Sequence, residues 1–139
     1  MDMVDITKLR IGNYILHGEN KDEAVLIKIT LEIFSDIANN PSLYFHAPIT
    51  EDFLLSRQFR IARDILGRKK GYIYDGSFGR RCRTILLLDY PPYFFLFINF
   101  DGNFYPKKKK GLENTYIPII YIDRLQNAIN ILSGGDELL

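Results

Sequence analysis

The stretch Tyr93–Phe100 constrains the fold more than any other part of the chain, because it is apolar on both faces of an extended strand. Large apolar or aromatic side chains occupy every position in it except Asn99. A strand with two apolar faces must be covered on both sides, so we predict that it lies centrally in a sheet. Even counted from Tyr90, the apolar run is too short to cross a bilayer, and it contains two prolines.

The chain is long enough for one domain with one hydrophobic core. It has 139 residues, of which 47% are hydrophobic and 25% are charged. These are ordinary values for a globular domain, and a domain of this size buries roughly two thirds of its unfolded surface. No internal repeat and no linker rich in Pro, Gly and Ser divides the sequence. We therefore predict a single α+β domain over residues 1–139.

Cysteine content and the N-terminus both favour a cytoplasmic protein. Cys82 is the only cysteine, so an intramolecular disulfide is excluded, and a secreted domain of this size usually carries several. Residues 1–18 have two acidic residues near their start, Asp2 and Asp5, and have no long apolar run, which fits neither a signal peptide nor a membrane anchor.

Hydrophobic alternation predicts an antiparallel hairpin near the N-terminus. Arg10–His17 alternates loosely, Gly18–Glu23 is short and polar, and Val25–Ile33 alternates strictly. Asn39–Pro41 then breaks the pattern, and Leu43–Phe45 is expected to add a short edge strand. The apolar side of the strictly alternating segment consists of Val25, Ile27, Ile29, Leu31 and Ile33.

Two helices are predicted from their caps. Thr50 precedes Glu51 and Asp52, so its hydroxyl can cap a short helix that ends at about Gln58. Asp123 is predicted to cap a C-terminal helix that ends at a Gly-Gly pair. The residues expected to bury these helices are Phe53, Leu54 and Phe59 for the first and Leu125, Ala128, Ile129 and Leu132 for the second.

The remaining strands are predicted from short apolar runs between turn residues. They are Tyr72–Tyr74, Thr84–Leu88 and Tyr116–Tyr121, the last at an edge because it contains Pro118. Asp101-Gly102 is the strongest hairpin signal. The predicted fold is a small antiparallel sheet with a short central helix and a C-terminal helix. Turns are expected on both sides of the Tyr72–Tyr74 strand, at Gly67–Gly71 and Asp75–Gly79.

No residue spacing in the chain indicates catalysis or metal binding. Nucleophilic catalysis would pair Cys82 or a serine with a histidine, but His17 and His46 lie in no recognisable motif. Two histidines and one cysteine show no short metal-ligand spacing, and the glycines form no phosphate-binding loop. We predict no cofactor and no metal. An enzyme with an unrecognised carboxylate site is left open as a third hypothesis.

Net charge is only +1, but basic residues concentrate in the middle of the chain. Residues 57–110 hold thirteen Lys or Arg against four Asp or Glu, whereas residues 1–56 hold four against nine. Cations beside aromatic rings are typical of single-stranded nucleic-acid binding, and an anionic ligand would be served equally. Alternatively, acidic and basic parts of one fold face each other. The candidate binding residues are Arg68, Lys69, Lys70, Tyr72, Arg80, Arg81, Arg83, Lys107, Lys108, Lys109 and Lys110.

Three segments of the chain form a recognisable set: LRIGNYI at Leu9–Ile15, PITEDFLLSRQF at Pro48–Phe59 and YIDRLQNAINILSGGDEL at Tyr121–Leu138. Together they resemble segments of a small uncharacterised protein family found in Bacteroidetes and in their phages and mobile elements. That family has LRIGNYV, PLTEEWLLKFGF and YVHQLQNLYFALTGEEL-like segments in the same order. This chain departs from them at Phe53, where the family tends to have Trp, and at Ile122–Arg124, where it has a VHQ-like stretch.

The resemblance implies a phage or mobile-element accessory protein in the cytoplasm of a bacterial host. The leading hypothesis is therefore a non-enzymatic interaction protein that offers a sheet edge or a basic loop face to a host or virion protein. A nucleic-acid or anionic-ligand module is the alternative. Self-association through an open edge at Tyr93–Phe100 is a further expectation.

Overall fold

The computed structural model describes residues 4–65, 69–78, 82–99 and 117–132. These residues form two antiparallel sheets and three α-helices, which confirms the α+β class and shows two sheets where one was expected. The chain divides into two compact units. The first comprises Met1–Pro48 with Tyr121–Asn127, and the second comprises Ile49–Ile120 with Ala128–Leu139. One domain over the whole chain stays a prediction.

A three-stranded sheet forms the centre of the first unit. β1 (Tyr14–His17) lies between β2 (Val25–Lys28) and β3 (Tyr44–His46) and is antiparallel to both. The predicted hairpin is confirmed, with Ile15 opposite Ile27. β3 is the short edge strand expected after the Asn-Asn-Pro break.

The predicted strand over Val25–Ile33 is wrong beyond its fourth residue, because the chain turns there into helix α1 (Leu31–Asn39). The hydroxyl of Thr30 caps this helix by accepting a hydrogen bond from the Ile33 amide at 3.3 Å. Ile33 and Ile37 are four residues apart, so they lie on one side of the helix, and both pack in the core. The apolar residues up to Ile33 fit a strand or a helix equally well. The Thr30 cap and the helical spacing of Ile33 and Ile37 decide in favour of the helix.

The core of the first unit joins the sheet to α1. Its buried members are Leu9, Ile15, Ile29, Ile37 and Tyr44. Each fully buried apolar side chain of this size contributes roughly 1.5–3 kcal/mol, which offsets the entropy of ordering the chain.

The second unit contains a five-stranded sheet in which sequential strands are neighbours. In order across the sheet the strands are β4 (Arg60–Ile65), β5 (Lys69–Phe78), β6 (Cys82–Tyr90), β7 (Tyr93–Asn99) and β8 (Ile117–Ile119), all antiparallel. β7 lies between β6 and β8, as its two apolar faces predict. Among the described residues, both edges of β7 are paired along Phe94–Leu96, and self-association stays a prediction. β8, which contains the proline, is an edge strand as predicted.

β5 is longer than the predicted Tyr72–Tyr74, because Gly71 lies inside the strand and not in a turn. It is opposite Ala62 on β4 and Leu88 on β6. Hydrogen bonding from both neighbouring strands holds the backbone extended there, and glycine adopts that conformation as well as a turn. The predicted turn at Asp101-Gly102 lies outside the described residues.

Both faces of this sheet contribute to the core. Tyr72, Leu87 and Leu96 are buried and lie opposite one another across β5, β6 and β7. The buried residues of the other face are Ile73, Leu86 and Leu88.

Helix α2 (Glu51–Ser56) begins as predicted, with the hydroxyl of Thr50 accepting a hydrogen bond from the Phe53 amide at 3.2 Å. Phe53 and Leu54 are buried, also as predicted. The helix is two residues shorter than expected, because the backbone of Gln58 is left-handed, with φ at 68°.

Helix α3 (Ile122–Leu132) confirms the C-terminal helix but not its predicted cap. Asp123 is the second residue of the helix, so it cannot be the residue that precedes the first turn. Its carboxylate is fully buried and pairs with His46. No helix in the described ranges has the length and apolar content that a membrane crossing requires.

Candidate functional site

The outer edge of β2 is an exposed apolar feature of the first unit. β2 pairs only with β1 among the described strands, so its other edge is open. Val25 and Leu26 are 65% and 41% exposed, although adjacent strand residues point to opposite faces. Both faces of this edge therefore present apolar surface to solvent.

The register shows which backbone groups face outward. The Ile29 amide donates to the Asn13 carbonyl at 2.8 Å, and Ile27 lies opposite Ile15. Inward hydrogen bonds recur at every second residue of an antiparallel pair, so the backbones of Ile27 and Val25 face β1. The amide and carbonyl groups of Leu26 and Lys28 consequently face the open edge.

Charged residues lie at the two ends of this edge. Asp22 and Glu23 lie in the turn that precedes β2, and Lys28 ends the strand with its Nζ atom 6.0 Å from the centre of the Tyr14 ring. Soluble proteins commonly protect an open edge with charges, proline or a bulge along the strand. Here the centre of the strand has no such protection, which is typical of an edge that is covered by a partner.

Leu26 is the residue in the sequence that indicates an exposed apolar edge, but it is easily overlooked because the residues around it alternate. In a strand with one polar face, the residue between Val25 and Ile27 should be polar. Three consecutive apolar residues instead indicate a strand whose second face is also used. Which residues are exposed could not be predicted, because the alternation continues through Ile33 and places its apolar residues on one side of a strand.

Most of the predicted basic face lies outside the residues that the structure describes. Lys69 and Arg83 lie on β5 and β6, where the structure describes only their backbones. Lys70 and Tyr72, on β5, are described in full. The members that lie outside the described residues are Arg68, Arg80, Arg81, Lys107, Lys108, Lys109 and Lys110.

Lys70 and Tyr72 are engaged within the second unit. Oε1 of Glu51, in the first turn of α2, accepts hydrogen bonds from Lys70 Nζ and from the Tyr72 hydroxyl, the latter at 2.9 Å. The hydrogen bond to Glu51 raises the pKa of Lys70. Burial, followed by the hydrogen bond to Glu51, raises the pKa of Tyr72. At this position an acidic and a basic part of the fold face each other, as the alternative interpretation of the charge pattern expects.

His46 and Asp123 form a buried pair in the first unit that resembles part of a catalytic triad. Nδ1 of His46 lies 3.0 Å from Oδ1 of Asp123, and the imidazole stacks on Tyr121 at 4.8 Å. Catalysis would also need a nucleophile at the other ring nitrogen. Nε2 has no hydrogen-bond partner among the described residues, and His46 is only 5% exposed. The geometry fits a structural role, in which the pair joins β3 to the start of α3.

An amide network joins two of the segments that carry the family resemblance. Oε1 of Gln126 accepts a hydrogen bond from the Tyr14 amide at 2.8 Å, and its Nε2 donates to the Gly12 carbonyl at 3.1 Å. Nδ2 of Asn13 donates to Oδ1 of Asn127 at 2.9 Å. These buried polar atoms satisfy one another's hydrogen-bonding requirements. The Asn and Gln residues of the two segments therefore have a structural role, which is to hold the two ends of the first unit together, and no ligand is needed to explain them.

The described residues form no metal-binding group, and comparisons with known proteins give no match. Across the described part of the chain, no three His, Cys, Asp or Glu side chains are grouped so that they could hold a metal ion. Comparison with known proteins finds no matching family model, no matching curated protein and no matching solved structure.

Proposed function

We propose that this chain is a non-enzymatic binding protein that adds an extended segment of a protein partner to its three-stranded sheet along the outer edge of β2. The observation that carries the proposal is an open edge on which Val25 and Leu26 are exposed on opposite faces. Strand addition uses unpaired main-chain groups for affinity and side-chain contacts on both faces for specificity.

The chemistry of the edge defines the segment that it binds. The backbone groups of Leu26 and Lys28 need a partner strand in extended conformation. Exposed Val25 and Leu26 favour apolar residues opposite them, and Lys28 favours a carboxylate at the adjoining end. The partner is therefore an extended, apolar segment with an acidic residue at one end.

The expected affinity of β2 alone is modest. The strand has four residues and spans about 13 Å, which allows only a few main-chain hydrogen bonds worth about 0.5–1.5 kcal/mol each. Burial of two apolar side chains adds roughly 1.5–3 kcal/mol each. Loss of translational and rotational freedom opposes this by about 4 kcal/mol or more. A tight complex would need contacts beyond β2.

The family resemblance supplies the biological setting of the proposal. We take the protein to be an accessory protein of a phage or mobile element that acts in the cytoplasm of a bacterial host. Its partner is then a host or virion protein. An accessory protein of this kind acts by binding its partner, and a sheet edge is a surface that can do so.

A proline at position 26 tests the proposal. The Leu26 amide faces outward, so Leu26→Pro removes an edge donor while it leaves the hydrogen bonds between β1 and β2 in place. The control is Leu31→Ser, which changes an exposed apolar residue outside β2. A partner captured from host lysate and identified by mass spectrometry is titrated by calorimetry. We expect binding about tenfold weaker or worse for Leu26→Pro and unchanged binding for Leu31→Ser.

Hydrogen exchange on the same complex separates the outcomes. Bound partner should slow exchange at the Leu26 and Lys28 amides. If exchange at both is unchanged, or if Leu26→Pro binds as tightly as wild type, the β2 edge is not the binding site. If the chain alone forms a dimer in light scattering and Leu26→Pro abolishes it, the edge is used by a second copy and not by a host or virion protein.

The alternative, a nucleic-acid or anionic-ligand module, depends on the basic residues of the middle third. Of that set, Lys70 already shares its charge with Glu51, and Tyr72 is buried. A basic binding face built from the remaining residues stays a prediction from charge count.

A further inference from the structure

A small, partly open cavity lies where helix α2 ends, in the second unit, and Ser56 and Gln58 on its wall are exposed. Among the described residues its lining consists of Ser56, Arg57, Gln58 and Tyr74, and its volume is about 320 Å³. Cavities of a few hundred cubic ångströms are the size that small-molecule sites use. All four side chains carry polar groups, so the chemistry of a ligand for this cavity can be deduced from them.

The end of α2 places a strained residue in the cavity wall. The Phe59 amide donates to the Leu54 carbonyl and the Gln58 amide donates to the Leu55 carbonyl, each within 3.2 Å. This is a Schellman ending, in which the left-handed position normally holds glycine. Gln58 occupies that position with φ at 68°. A side chain there costs stability relative to glycine, and such strain is concentrated at functional sites. The chain keeps an amide where glycine would be more stable.

Arg57 supplies a positioned positive charge. Its guanidinium lies over the ring of Phe53, with the Cζ atom 5.0 Å from the ring centre, and Phe53 is buried. A cation held against a buried ring loses much of its rotational freedom before any ligand arrives. Guanidinium stays charged at all physiological pH values and presents paired donors that match the oxygens of carboxylate and phosphate.

The other wall groups are consistent with an anionic ligand. Tyr74 is oriented by its contact with Phe59, whose ring centre lies 5.6 Å away, and it contributes a phenol to the wall. The negative end of the α2 dipole would oppose an anion. However, α2 has only six residues, and the final carbonyls accept the hydrogen bonds of its Schellman ending. No Asp or Glu is among the described wall residues.

We propose that this cavity binds a small ligand through a phosphate or carboxylate group, with Arg57 as the counter-charge and the Gln58 amide as a second donor. The site uses none of the residues of the β2 edge. Two sources of the anionic group, a phosphate ester and a carboxylic acid, share this chemistry.

Titration followed by two-dimensional ¹H–¹⁵N NMR tests the site on the full chain. Inorganic phosphate and sodium acetate are added in separate experiments, with sodium chloride adjusted to keep ionic strength constant. We expect saturable shifts of the 56–58 and 74 amides with at least one probe, and the probe that saturates at lower concentration identifies the preferred group. Shifts that fail to saturate with both probes would overturn the assignment.

Three variants show whether the named residues are responsible. Arg57→Gln should weaken binding of the saturating probe by about tenfold or more. Gln58→Gly should weaken it too, while raising the midpoint of thermal unfolding, because glycine relieves the left-handed backbone. Lys8→Gln, a surface cation of the first unit, is the matched control and should leave affinity unchanged. Affinity retained in both Arg57→Gln and Gln58→Gly would contradict the proposal.

Discussion

At the scale of single residues, the first unit is held together by buried polar side chains, whose hydrogen bonds must be made within the protein because water does not reach them. Gln126 and Asn13 are buried, and each uses both halves of its amide. Gly12 makes this arrangement possible, because its φ of 96° turns the backbone so that its carbonyl faces the Gln126 side chain. A residue with a Cβ atom would meet no clash at this position but would be strained by the backbone angle.

Tyr44 provides a residue-scale test through pH. Burial and then the hydrogen bond that its hydroxyl donates to Asp36 raise the pKa of Tyr44 from 10.0 to about 12. The folded state holds the proton more tightly than the unfolded state, so this contribution to stability is complete below pH 10 and is lost as pH rises toward 12. The free energy of unfolding should fall in that window by up to about 1.4 kcal/mol per pH unit.

Tyr44→Phe removes the titrating group and is the variant to compare. Urea unfolding from pH 8 to the highest pH at which wild type folds should show a steeper decline for wild type than for Tyr44→Phe. Other tyrosines and lysines titrate in both proteins, so the difference between the two curves isolates Tyr44. Parallel curves would show that the hydroxyl of Tyr44 has the same pKa in both states.

At the scale of elements, the turn from β2 into α1 separates two residues that a continuous strand would bury together. Ile29 is 1% exposed, whereas Leu31, two positions later, is 72% exposed. Ile29→Ala should therefore cost about 2–5 kcal/mol of unfolding free energy, as large-to-small core substitutions do. Leu31→Ala should change it by no more than about 0.5 kcal/mol. Chemical denaturation measures both, and equal losses would favour the continuous strand.

The same segment shows what the sequence can and cannot predict. The hairpin that places Ile15 opposite Ile27 was predicted correctly as a hairpin, because a two-residue period and a polar loop act locally; its register was not predicted. Leu31 and Ile33 fit both a strand and a helix, and the choice depends on the Thr30 cap and on core contacts that are distant in sequence. The left-handed backbone of Gln58 left no signal at all, so the cavity beside it could not be predicted.

At the scale of the whole molecule, the two units are interleaved along the chain. Met1–Pro48 is completed by Tyr121–Asn127, and roughly seventy residues of the second unit lie between these two pieces. If the second unit unfolded alone, the first would have to close a flexible loop of that length, at an entropic cost of about 4 kcal/mol. That is a large share of the total stability of a small domain. Chain connectivity alone therefore couples the two units.

We accordingly expect one cooperative unfolding transition, as a single domain requires. The Ile15 amide reports on the first unit and the Leu87 amide on the second, and both residues are fully buried. Their folded NMR signals should disappear at the same urea concentration. Gln126→Leu removes hydrogen bonds that close the first unit only, yet it should lower both midpoints together, because a loss in one unit is transmitted through the loop-closure cost. A variant that lowers the midpoint at Ile15 and leaves Leu87 unchanged would show that the chain consists of two independent domains.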